Sequence, residues 1–136
     1  ITVCSKEELL EMRQTAKEIL VATDVLDYAM ALTLATHPKS ETSTDVAKKY
    51  IRYGASPRAA QALISTAKVR ALMQGRYNVS YEDINTLALP VLRHRIKLNF
   101  EAISEGVSPD EIIEKIIKER NQLKEPLIES KKTKKR

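Results

Sequence analysis

Hydrophobic positions recur along the chain at helical spacing, and the polar residues between them are the ones that start and stop helices. Ser5 followed by Glu8 has the form of a capping box, and Leu9, Met12, Ala16, Ile19 and Leu20 then step along one helix face. Asp24 is placed as the N-cap of a second helix, with Leu26, Ala29, Met30 and Thr33 on one stripe and Tyr28 and Leu32 beside it. The polar run from Thr36 to Thr44 reads as an exposed loop, and Asp45 to Tyr53 adds a short helical turn before Gly54.

Ser56 and Pro57 open a third main helix: serine is a good N-cap, and proline at the first helical position gives up an N–H that has no partner there. Its core stripe is Ala60, Leu63, Ile64, Ala67 and Ala71, and Gly75 is its stop. Val79 falls in an extended link. Ser80 with Asp83 caps a fourth helix carrying Ile84, Leu87, Ala88 and Val91, which Pro90 is expected to kink or divide. Ser108, Pro109 and Glu111 open a last helix whose apolar face is Ile112, Ile113, Ile116 and Ile117. No alternating strand pattern and no internal repeat occur. The pattern predicts an all-α fold, a small bundle of about five helices. Residues 127–136 are expected to form a basic, disordered tail.

Composition narrows the chemistry. The chain has 136 residues, about one domain's worth, with only three glycines, Gly54, Gly75 and Gly106. Neither a G-x-x-x-x-G-K-[ST] phosphate loop nor a G-x-G-x-x-G fingerprint can be written with them. The single cysteine, Cys4, excludes a disulfide scaffold and a cysteine zinc cluster, and it reads as incidental. His37 and His94 stand apart, so no metal site is expected; His37, next to Pro38, reads as loop punctuation. No apolar run near 18 residues and no signal-peptide pattern are found, so a soluble, cytoplasmic protein without membrane insertion is expected. The chain starts at Ile1 without methionine, as a piece of something longer would.

The formal net charge of +5 equals the five basic residues among the last six. Residues 48–97 hold ten basic groups against Glu82 and Asp83 alone, whereas the flanking segments are acidic. Such a segment suits an anion-facing or partner-facing surface, or charges scattered around a solvated bundle. The best chemical signal inside it is Gly54-Ala55-Ser56-Pro57-Arg58. Gly54 is expected to permit an unusual backbone turn, and Arg58 lies in the first turn of a helix. Free N–H groups and partial positive charge at a helix N-terminus suit a phosphate, and a guanidinium adds a donor fork. The dipole disfavours a cation at that end, which calls for an explanation: anion contact, a salt bridge to a neighbouring helix, or a solvated side chain. Arg93-His94-Arg95 forms a second basic cluster, at a helix C-terminus where the dipole favours cations.

The run Tyr53-Gly54-Ala55-Ser56-Pro57-Arg58-Ala59-Ala60 resembles the opening of the C-terminal lid subdomain of MoxR-type AAA+ ATPases. The resemblance continues through Ala67-Lys68, Gly75-Arg76, Val79-Ser80-Tyr81-Glu82-Asp83-Ile84, Pro90-Val91-Leu92-Arg93-His94-Arg95 and Glu105-Gly106-Val107-Ser108-Pro109-Asp110, and upstream through Val25 to Thr36. It covers roughly residues 5 to 120. It implies a connection from an ATPase core over residues 1–4, a helical lid over 5–126, and the tail over 127–136. It further implies that Arg58 is the sensor 2 arginine, with Ser56 and Pro57 beside it on the ATP phosphate side, and that Arg93 and Arg95 face an interface. ATP and Mg²⁺ would be bound only with the core present, so this chain alone would not be an enzyme. The implied partners are the core of the same polypeptide, neighbouring subunits of a hexameric ring, and von Willebrand factor A domain proteins. At the position directly after Thr36, where many relatives carry arginine, this chain has His37. The alternative reading is a basic helical domain that binds nucleic acid, for which few aromatic residues are available.

Overall fold

The computed structural model describes residues 3–133, with side chains as far as residue 121. Its elements are α1 (Lys6–Glu18), α2 (Thr23–Ala35), α3 (Asp45–Tyr50), β1 (Ile51–Tyr53), α4 (Pro57–Met73), α5 (Tyr81–Leu92), β2 (Lys97–Leu98), α6 (Phe100–Glu105) and α7 (Pro109–Thr133). The all-α expectation holds, with seven helices among the described residues rather than about five. Two of them, α3 and α6, are only six residues long; α3 falls where Asp45 to Tyr53 was expected to add a helical turn, and α6 was not foreseen.

The helix starts are set locally. Ser5 accepts from the Glu8 N–H while Glu8 accepts from the Ser5 N–H, and Ser80 with Asp83 and Ser108 with Glu111 repeat this reciprocal pair. Thr44 and Asn99 cap α3 and α6. Gly75 and Gly106 take positive φ just past α4 and at the end of α6, where a side chain would be strained. The start of α2 differs from the expectation: Ala22 is its N-cap, without a side-chain bond, and Asp24 lies inside the first turn, where it favours the dipole.

The core lies where α2, α4, α5 and α7 meet, around Tyr28, Leu32, Leu63, Ile84, Leu92, Ile112, Ile113 and Ile116. The stripe on α2 is rotated from the one read in sequence. Val25, Tyr28, Ala29 and Leu32 are buried and Leu26 and Met30 face outward, because this helix is apolar on nearly every side and periodicity could not choose a face. On α1 only Ala16 is buried, and Leu9 and Met12 stay exposed. Pro90 sits within α5 without dividing it. A small antiparallel ribbon, unforeseen in the sequence, pairs Ile51 with Leu98 and Tyr53 with Lys97, with a bulge between Ile51 and Tyr53. Strands of three and two residues are too short to show alternation.

Val3 and Cys4 have no regular structure, and residues 1 and 2 of the expected connection lie outside the described residues. The backbone of α7 continues through residues 127–133, which the sequence assigned to a tail. Glu and Lys in that stretch are good helix formers. Residues 134–136 lie outside the described ones. No helix among the described residues is long and apolar enough to cross a membrane.

Candidate functional site at the start of α4

Ser56, Pro57 and Arg58 stand together at the N-terminus of α4, as the sequence placed them, with Ser56 in extended conformation and Pro57 opening the helix. This end differs chemically from the other helix starts. The Ser56 hydroxyl makes no capping bond, and α4 is the one helix among those described with no acidic residue in its first turn. Arg58 is exposed and has neither a hydrogen bond nor an ion pair among the described residues. Of the three explanations open in the sequence, a salt bridge to a neighbouring helix is thus absent there. The free N–H of Arg58, the unspent hydroxyl and the guanidinium suit an anion, with no carboxylate in the turn to repel it.

Gly54 is needed here for space, not for an unusual turn, because its φ is not positive. A Cβ on Gly54 would come within 2.7 Å of His37 Cγ and 2.8 Å of the Thr36 carbonyl carbon. His37 and Thr36 press close because both bond the next residue. The Ala55 N–H donates to Thr36 Oγ1 at 2.9 Å, and His37 Nε2 donates to the Ala55 carbonyl at 2.7 Å. Thr36 is fully buried and His37 half-buried, so the run read as an exposed loop begins with two anchored residues.

Two shallow cavities flank this segment. One of about 250 Å³ is lined by His37, Pro38, Lys39, Arg52, Tyr53 and Gly54. The other, about 310 Å³, is an apolar trough between α2 and α4 formed by Leu26, Met30, Ala60, Gln61, Ile64 and Ser65. Gln61 and Ser65 follow Arg58 by three and seven residues and so share its face of the helix.

Several cations of the basic middle segment are already engaged. Asp83, wholly buried, accepts from Arg70, from Arg76 at 2.7 and 2.9 Å, and from the Ser80 N–H at 2.8 Å. Burial alone would push its carboxyl up, but Arg76, the Ser80 N–H and Arg70 outweigh that and hold it far below the usual carboxylate range. Lys49 bonds Tyr50 and Glu105, tying α3 to α6; Tyr50 and Lys49 in turn lower the Glu105 carboxyl. Arg93 pairs with Asp110 at 2.9 Å, joining the end of α5 to the first turn of α7, while Arg95 meets the neighbouring His94. No contact among the described residues links Arg93 or Arg95 to Arg58. Asp83, Glu105 and Asp110 thus hold Lys49, Arg70, Arg76 and Arg93 within the fold.

Residues 43–116 match the model of the AAA lid domain, which is more than half of the chain. The chain belongs to the AAA lid domain family. It is similar to the chaperone MoxR1 of Mycobacterium tuberculosis, 30% identical over 115 residues that make up 85% of this chain and 30% of MoxR1. It is also similar to the uncharacterized protein YeaC of Bacillus subtilis, 27% identical over 85% of this chain and 33% of that protein. In structure, a candidate ATPase from Cytophaga hutchinsonii superposes with a TM-score of 0.80 at 38% identity, covering 86% of this chain and 36% of the other. The AAA lid chain thus spans about a third of the length of these relatives. The resemblance to a MoxR-type lid read from the motifs holds.

Residues for a bound nucleotide divide accordingly. The start of α4 fits a phosphate on the grounds given above. Among the described residues no three of His, Cys, Asp or Glu gather as metal ligands. The sequence missed Thr36, His37 and the Arg70–Asp83–Arg76 knot. Only the Ser80–Asp83 spacing hinted at the last of these.

Proposed function

We propose that this chain is the lid of a MoxR-type AAA+ ATPase and that Arg58 serves as its sensor 2 arginine, approaching the γ-phosphate of ATP held by a core outside this chain. The observation that carries the reading is the state of the α4 N-terminus, where Arg58 is exposed, neither it nor the Ser56 hydroxyl has a partner among the described residues, and the first turn lacks acids. A guanidinium so placed stabilises charge on the transferring phosphoryl group, and loss of that phosphate removes its partner, so the lid registers hydrolysis. Bound nucleotide supplies the phosphate and its Mg²⁺, and this chain supplies the donor fork and the helix terminus. By itself it does not hydrolyse ATP.

The wider assignment follows from the same reading. The lid works with the core of its own polypeptide and with neighbouring subunits of a ring, taken as hexameric, with Arg93 and Arg95 toward the subunit interface. The assembly remodels other proteins in the cytoplasm, a chaperone-like role in keeping with the name of MoxR1, with von Willebrand factor A domain proteins as partners. Arg58→Ala in the complete ATPase tests the central claim. One charge-assisted contact to phosphate is worth about 1.5–3 kcal/mol, so turnover should fall roughly ten- to hundred-fold with the fold intact by circular dichroism. Wild-type turnover in that variant would refute the assignment.

A further inference from the structure

Ala55 stands three residues before Arg58, and both of its backbone polar groups are taken by two consecutive side chains from the end of α2. The Thr36 hydroxyl accepts from the Ala55 N–H at 2.9 Å and donates to the Thr33 carbonyl at 2.6 Å. Thr33 in turn donates its hydroxyl to the Ala29 carbonyl at 2.9 Å. The Ala55 carbonyl can only accept, so the His37 Nε2 that meets it at 2.7 Å carries a hydrogen. Ala29, Thr33, Thr36 and Ala55 are all buried, which roots the chain of bonds in the core. Gly54 has no side chain because the His37 ring and the Thr36 backbone occupy that space.

The peptide on either side of Ala55 therefore has its plane fixed from α2. That plane sets the entry angle of the chain into α4, and with it the direction of the first turn. Ser56 makes no capping bond, so the N-cap side chain does not do this job.

We infer that Thr36 and His37 are positioning residues for Arg58: by clamping Ala55 they fix where the first turn of α4 presents its guanidinium. The inference rests on the sensor 2 reading. Small displacements of a positioned group cost large factors, on the order of a hundred-fold for about 1 Å. A residue that merely stabilised the lid would change its melting temperature without changing its preference for one nucleotide over another.

The test compares His37→Gln, His37→Asn and Arg58→Ala in the complete ATPase. A glutamine amide reaches about as far as Nε2 and keeps a donor, whereas asparagine is one methylene shorter and leaves the Ala55 carbonyl unmet. The readouts are the thermal midpoint without nucleotide and the affinity ratio between a non-hydrolysable ATP analogue and ADP. His37→Asn should lower that ratio about ten-fold, and His37→Gln should keep it within about two-fold of wild type. In the double variant His37→Asn with Arg58→Ala, the ratio should equal that of Arg58→Ala alone, since the two changes act on one contact. A ratio unchanged in His37→Asn but reduced in Arg58→Ala overturns this inference and leaves the sensor reading intact. A ratio unchanged in Arg58→Ala overturns both. If His37→Asn fails to fold, Thr36→Ser, which keeps the hydroxyl, and Thr36→Val, which removes it, give the same contrast from the other half of the clamp.

Discussion

Replacing Asp83 removes the acceptor at which α4 and α5 are joined. Its carboxylate is wholly buried and receives Arg70, both terminal nitrogens of Arg76, and the N–H and hydroxyl of Ser80. Breaking a buried pair by deleting one partner costs about 3–5 kcal/mol, and losing half of a capping box adds about 1 kcal/mol. The arginines keep 23% and 34% side-chain exposure, so water rehydrates them in the variant and the loss falls toward the low end. We expect about 3 kcal/mol for Asp83→Ala and about 2 kcal/mol for Asp83→Asn, which keeps the shape and one acceptor. For a chain of this size that is a drop of roughly 10 °C in Tm for the alanine variant. The sign with pH follows from the direction of the shift. The folded-state carboxyl is held below its unfolded value, so its stabilisation is fully present above that value, near 3.9, and is lost as pH falls toward the folded one. Urea unfolding followed at 222 nm from pH 7 to pH 2 should show the gap between wild type and Asp83→Asn narrowing below about pH 4. A gap that is constant with pH, or an alanine variant within about 0.5 kcal/mol of wild type, would refute the account of this buried knot.

Two further expectations concern the start of α4. Ser56→Ala should change unfolding free energy by less than about 0.5 kcal/mol, since its hydroxyl caps nothing, whereas Ser80→Ala should cost about 1 kcal/mol or more. Equal losses in parallel denaturation curves would show that Ser56 is an ordinary cap. Gly54→Ala should destabilise by about 1–3 kcal/mol, because its Cβ meets the Thr36 backbone at 2.8 Å and can displace only the His37 ring. A melting temperature equal to wild type would contradict the close approach.

What the sequence revealed and what it hid follow a physical division. The Ser5–Glu8, Ser80–Asp83 and Ser108–Glu111 boxes were legible because a cap is made within four residues and needs no tertiary partner. The isoleucine face of α7 was legible because polar residues flank it. On α2 the choice between the stripe through Leu26 and Met30 and the one through Val25, Tyr28 and Leu32 depended on which neighbour packed where. Thr36 and His37 were hidden for a related reason: Ala55 is 18 residues beyond His37, and no local pattern marks two polar loop residues as its partners. Arg58 was visible by its motif and by its wrong sign for the dipole, but its lack of an ion pair among the described residues needed coordinates.

The 17 residues of α4 span about 25 Å, with the Ala55 clamp just before one end and the Asp83 knot holding Arg70 in its last turn. Pinned at both ends, the helix acts mechanically as a strut rather than a spring. A displacement of its first turn is expected to reach α5 through the Arg70–Asp83 pair rather than be lost in fraying of the helix ends.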